Sequence, residues 1–112
     1  MIDMETIAEI VATYLKHGWI LRRVLLSAEL KKKLEVAGKS LFGDVPTVDS
    51  DINAAWFSRP PKTGGVAWEI RYMGDVPLAL LEKLDEDDPA FESAIKNVER
   101  RLAETVAKKE AA

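Results

Sequence analysis

Arg59, Glu69 and Arg71 are the residues of this chain whose types and spacing best suit chemistry. They fall on alternate positions of two segments, 51–59 and 66–73, with apolar Phe57 and Met73 in the same phase. A guanidinium offers a planar fork of donors that matches a carboxylate or a phosphate, and a glutamate beside it can move a proton or balance its charge. Such a face could hold a small anionic ligand, or anchor a protein partner through Phe57 and the arginines. Arg23 joins the set if the segment around it lies beside the other two as a strand.

Other candidate chemistries fail on inspection. His17 is the only histidine, beside Gly18 at the end of an apolar-periodic stretch, and a lone imidazole supplies neither a metal set nor a nucleophile and base pair. Asp49-Ser-Asp51-Ile-Asn53 begins like a calcium loop, but Ala54 stands where the sharp turn needs glycine and Pro60 where a bidentate glutamate should close the shell. Lys62-Thr63 lacks the upstream glycine of a phosphate-binding loop. Ser93-Ala-Ile-Lys96 and Lys62-Thr-Gly64 resemble fragments of the serine acyl-enzyme motifs of penicillin-binding proteins and related lactamases, but in the wrong order and in too short a chain. No catalytic residue, metal site or cofactor is assigned, and the chain is expected not to be an enzyme.

The elements that must position the arginine-bearing face follow from periodicity. Ile52, Ala54, Trp56, Val66, Trp68, Ile70 and Tyr72 alternate with the charged set, which predicts a β-hairpin, about 51–59 and 66–73, joined by the turn-rich Pro60 to Gly65. Keeping every aromatic but Phe57 on one face sets Trp56 opposite Trp68, Ala54 opposite Ile70 and Ile52 opposite Tyr72. Ile7, Ile10, Val11, Tyr14 and Leu15 form a helical stripe over about 4–17, capped by Asp3 and ended by Gly18. Residues 19–26 suit either a helix or a strand, and the Gly18 break before them with Ser27 after favours a strand, which would point one of Arg22 and Arg23 onto each face. Ser27 caps a short second helix, about 28–37, that buries Leu30 and Leu34 and stops near Gly38. Residues 76–84 suit either a helix or an edge strand, and the short connection from the hairpin favours a strand. Asp88 and Pro89 start a long C-terminal helix, about 89–109, with Phe91, Ile95, Val98, Leu102 and Val106 as its stripe and fraying expected over Lys108 to Ala112. The fold expected is α+β: one domain, with an antiparallel sheet of three to four strands packed by three helices.

Composition bounds the function classes. A chain of 112 residues with 47% hydrophobic and 31% charged residues is long enough for one core and too apolar for disorder. The net charge of -3, with no strongly basic segment, leaves the electrostatic attraction that dominates non-specific nucleic-acid binding weak, so a nucleic-acid partner is not expected. The absence of cysteine excludes disulfides and thiolate metal sites, and no stretch reaches the roughly 18 apolar residues of a membrane span. Acids near the start do not fit a secretory signal, so a cytoplasmic location is expected. Three tryptophans and an apolar C-terminal helix suggest burial shared between subunits. The sequence therefore points to a small protein-interaction module that self-associates as a homodimer, with an anionic-ligand-binding or enzymatic site on the arginine face as the alternative, Glu69 then serving as acid or base and an arginine as charge stabiliser.

Overall fold

Asp3 opens the first element of the computed structural model, which describes residues 3–37, 41–60 and 66–111. Its side chain accepts from Thr6 N at 2.7 Å and so satisfies one of the unpaired amides of α1 (Met4–Lys16). That bond holds the Asp3 carboxyl below the usual carboxylate range. The helix ends in a Schellman motif: Gly18 N bonds Leu15 O, Trp19 N bonds Tyr14 O, and Gly18 takes φ 87°, which only glycine adopts without strain. The Trp19 ring then meets Tyr14 edge-on at 5.9 Å, the apolar contact that accompanies this ending.

The chain continues through β1 (Ile20–Leu26), α2 (Ala28–Ala37), β2 (Thr47–Asp49), β3 (Ala54–Arg59), β4 (Val66–Tyr72), β5 (Ala79–Leu84) and α3 (Phe91–Ala111). The fold is α+β, as the patterning predicts, and the sheet order is β2-β1-β3-β4-β5. β1, β3, β4 and β5 pair antiparallel in succession, and β2 adds a parallel edge to β1 after α2 crosses over. Residues 19–26 and 76–84 both supply strands. The expected stop at Gly38 and most of the hairpin connection lie outside the described residues.

Two cores form, one on each side of the sheet. On one side α1 and α2 bring Ile7, Val11, Leu30 and Leu34 against Val24, Leu26, Ala55, Phe57 and Met73. On the other, α3 lays Ile95, Val98, Leu102 and Val106 on Leu25, Ala54, Trp56, Trp68, Ile70 and Tyr72. The central strand β3 is buried on both faces, so its Ala-Ala-Trp-Phe-Ser run reads as continuous rather than alternating.

The hairpin register differs from the expected one by two residues. Trp56 pairs with Ile70, Trp68 with Ser58 and Tyr72 with Ala54. The faces are unchanged, because a two-residue shift preserves side-chain direction. Trp68 and Tyr72 now stand opposite the small residues Ser58 and Ala54, and the tryptophans meet diagonally, edge-on at 6.2 Å. Residues 51–53 precede the strand rather than belonging to it, since Asn53 spends its groups on neighbours: Oδ1 accepts from Ser27 N and O accepts from Met73 N. At the far end, α3 does not fray from Lys108 but stays helical to Ala111, and its Glu110 accepts the Tyr72 hydroxyl at 2.5 Å.

Gly74 permits that contact. A Cβ there would lie 2.1 Å from Tyr72 Cζ, inside a buried ring already tethered to α3. Gly74→Ala is therefore expected to destabilise the fold by about 1–3 kcal/mol, the usual cost of overpacking. Urea denaturation reads this directly, and an unchanged midpoint would show that the ring is free to move aside.

Candidate functional site

The arginine-bearing face of the hairpin is partly roofed by α1. Phe57 is fully buried and stacks on Tyr14, with centroids 4.1 Å apart and planes inclined by 12°. It contributes to the core and offers no surface. Glu69 accepts the Tyr14 hydroxyl, so the first helix is clasped to β4 through one phenol. Arg59 lies over the Trp19 ring at 4.6 Å and donates to His17 O at 3.4 Å, which closes the Schellman turn against β3. Arg71 donates from Nη1 to Tyr72 O at 2.7 Å and to Leu78 O at 3.5 Å, tying the β4–β5 connection. The structure thus keeps Arg59, Glu69 and Arg71 on one face, and each holds a neighbouring piece of the fold.

Both tyrosines of the chain donate to glutamates, with a spectroscopic consequence. Burial, then the bond to Glu69 and its charge, raise the Tyr14 phenol well above its ordinary value, with the Arg71 charge opposing in part. Burial, then Glu110, push Tyr72 up to about 12. A raised folded pKa means the stabilisation is complete below the unfolded value of about 10 and is lost as pH rises from there through the folded value. Absorbance titration is expected to show no tyrosinate near pH 10 in the folded protein, while both groups ionise there in concentrated guanidinium chloride. A full tyrosinate step near pH 10 without unfolding would contradict these clasps.

Arg23 lies on the opposite side of the sheet, together with Arg22. In the β1–β3 ladder Leu21 pairs with Phe57 and Arg23 with Trp56, so Arg22 is the extra residue of a β-bulge. The expectation of one arginine per face is thereby corrected: the bulge turns both toward α3. The bulge lets Leu21 and Val24, three positions apart, both serve the α1 core, which a regular strand cannot achieve. Arg22 sits with Cζ 4.9 Å from the Trp68 ring centroid, donates to Ser58 Oγ at 3.2 Å and pairs with Glu86. Arg23 pairs with Glu92 at 2.9 Å and lies 3.9 Å from Glu99, whose carboxylate also accepts Trp56 Nε1 at 2.8 Å.

Beyond the arginines, the uncovered part of the α1-side face lies over β4 and β5. There Ala67, Glu69 and Arg71 stand beside Lys83, Leu81 and Ala79, and Leu81 is 62% exposed. Among the described residues β5 pairs only with β4, so its outer edge is open. Tyr72 N bonds Leu78 O, which directs the even-numbered backbone groups of β5 inward and those of Ala79, Leu81 and Lys83 outward.

Among the described residues no group of three or more potential metal ligands converges, and no helix is long and apolar enough to cross a membrane. His17 Nδ1 is occupied by Thr13 O at 2.8 Å, within its own helix. No protein-family model, curated protein or solved structure matches the chain, so its functional reading rests on the geometry of the sheet edge and the two arginine clusters.

Proposed function

We propose that the chain is a small non-enzymatic interaction module that works as a homodimer, joined through the open edge of β5. The observation that carries this reading is a six-residue edge strand with Leu81 exposed at its middle and three outward residues unpaired among the described elements. An open strand of this kind is a template for another strand.

The edge is self-complementary in one register. Antiparallel pairing about Leu81 places it against the partner's Leu81 and Ala79 against the partner's Lys83, so the outward amides and carbonyls of all three residues find partners. Shifting the axis to Glu82 would instead bring like charges together across the axis. Glu82 is held by Arg101 at 2.8 Å, leaving an edge with little net charge and therefore little preference for a strongly acidic or basic partner. Glu69 and Arg71 border the contact as its polar rim, next to Leu81 and Ala79. The other sheet edge, three-residue β2, is too short to compete well.

One strand and its flanks bury less than the roughly 800 Å² per partner of a standard interface, so a dissociation constant in the micromolar range, about -8 kcal/mol, is the expected strength. Light scattering from micromolar to millimolar concentrations should show mass rising toward twice the 12.5 kDa of one chain. Leu81→Arg should stay monomeric with unchanged far-UV dichroism, because the residue is not part of either core. A wild-type protein that remains monomeric throughout, or a variant that dimerises as before, overturns the proposal.

A further inference from the structure

We infer that the bulge of β1 builds a second, separate site: a pocket for a small carboxylate with a flat apolar body. A cavity of about 160 Å³ opens between the sheet and the start of α3, with Trp68 and Phe91 among its walls and Arg22, Arg23, Glu86 and Glu92 around it. Trp56 lies fully buried behind the cavity, and its indole is fixed by Glu99. The site does not depend on the β5 edge.

The two sets of charges are held differently. The Arg22 guanidinium is supported from below by Trp68 and by the buried Ser58 hydroxyl, and its side chain is 32% exposed. Arg23, 25% exposed, sits beside Glu99, which is itself 16% exposed and anchored by Trp56. Glu86 and Glu92 are the outer members, 48% and 61% exposed. Exposed ion pairs add little to stability, so replacing Glu86 on Arg22 by a ligand carboxylate costs the fold little. A guanidinium fork donates two parallel bonds to a carboxylate, and the partly exposed Phe91 ring adds apolar contact that the Glu86 stem does not supply.

Size and charge limit the ligand. A space of about 150 Å³ holds a molecule the size of benzene, so this one has room for a single ring or a short branched chain. Three carboxylates face two guanidiniums, which disfavours a multiply charged anion and leaves room for one carboxylate in exchange for Glu86. β-Bulges commonly re-aim side chains at functional sites, and here the bulge is what brings the second arginine to the cavity.

Benzoate is the probe, with benzamide as its neutral counterpart and inorganic phosphate as an anion without a ring. Each is titrated into the intact chain while the three tryptophan indole signals are followed by nitrogen–proton correlation. Saturable benzoate shifts are expected at Trp68 and Trp56. Trp19, on the other side of the sheet beside Tyr14, is expected to stay still. Glu86→Gln should tighten benzoate at least threefold by freeing the fork, and Arg22→Gln should weaken it at least tenfold. Benzamide or phosphate saturating as strongly as benzoate, equal movement of all three indoles, or unchanged affinity in Glu86→Gln would each overturn the assignment.

Discussion

Trp56→Ala is expected to destabilise the protein by about 3–5 kcal/mol, a large share of the roughly 5–15 kcal/mol that holds a domain of this size. The indole has no exposed surface, lies on the central strand, meets Trp68 edge-on and gives its N–H to Glu99. Truncation removes the ring's burial, opens a cavity that α3 cannot close without leaving Trp68, and strips Glu99 of a donor in a largely buried setting. Trp56→Phe keeps most of the ring volume and loses the N–H, so a loss of about 1–2 kcal/mol is expected there. Urea denaturation should show a lower midpoint at constant slope, the signature of changed stability rather than a changed end state. A loss below about 1 kcal/mol for the alanine variant would be incompatible with a buried Trp56.

Phe57→Ala should cost a similar amount, about 3–5 kcal/mol, through the opposite face. Its ring is fully buried under α1, stacked on Tyr14. The two neighbouring substitutions are distinguished by what they loosen. Loss of Phe57 removes the platform beneath Tyr14, weakens the phenol's bond to Glu69, and lets Tyr14 ionise closer to pH 10. Loss of Trp56 leaves Tyr14 unaffected and reduces amide protection along α3. Hydrogen exchange that falls equally in α1 and α3 for both variants would contradict a sheet with two separate cores.

The helices were legible because their signals are local. Asp3, Gly18 and Ser27 act as caps, and the stripes of α1 and α3 are those of the amphipathic pattern. The hairpin faces were legible for the same reason, as a period of two along each strand. The register was not, because Trp56 opposite Trp68 and Trp68 opposite Ser58 bury the same faces and differ only in how large and small residues interlock. Strand β2 carries no periodicity in its three exposed residues and exists through backbone bonds such as Ser50 N to Leu26 O.

The candidate site was legible in composition more than in position. Arg59, Glu69 and Arg71 do share a face, but their heads are engaged with α1 and with main-chain carbonyls, which depends on where the helix lands. Arg22 and Arg23 reach the tryptophan side together only through the bulge, a one-residue irregularity that alternation rules do not report. The open edge of β5 is likewise a property of sheet order, invisible until the neighbours of residues 79–84 are known.

The absence of cysteine makes the edge-to-edge dimer open to one direct measurement. Residues facing each other across an antiparallel hydrogen-bonded pair have Cα atoms about 5.5 Å apart, within reach of a disulfide. Under mild oxidation Leu81→Cys is expected to cross-link rapidly into a covalent dimer, while Leu15→Cys, comparably exposed on α1, cross-links only at the rate of random collision. Equal rates at the two positions would contradict pairing through β5.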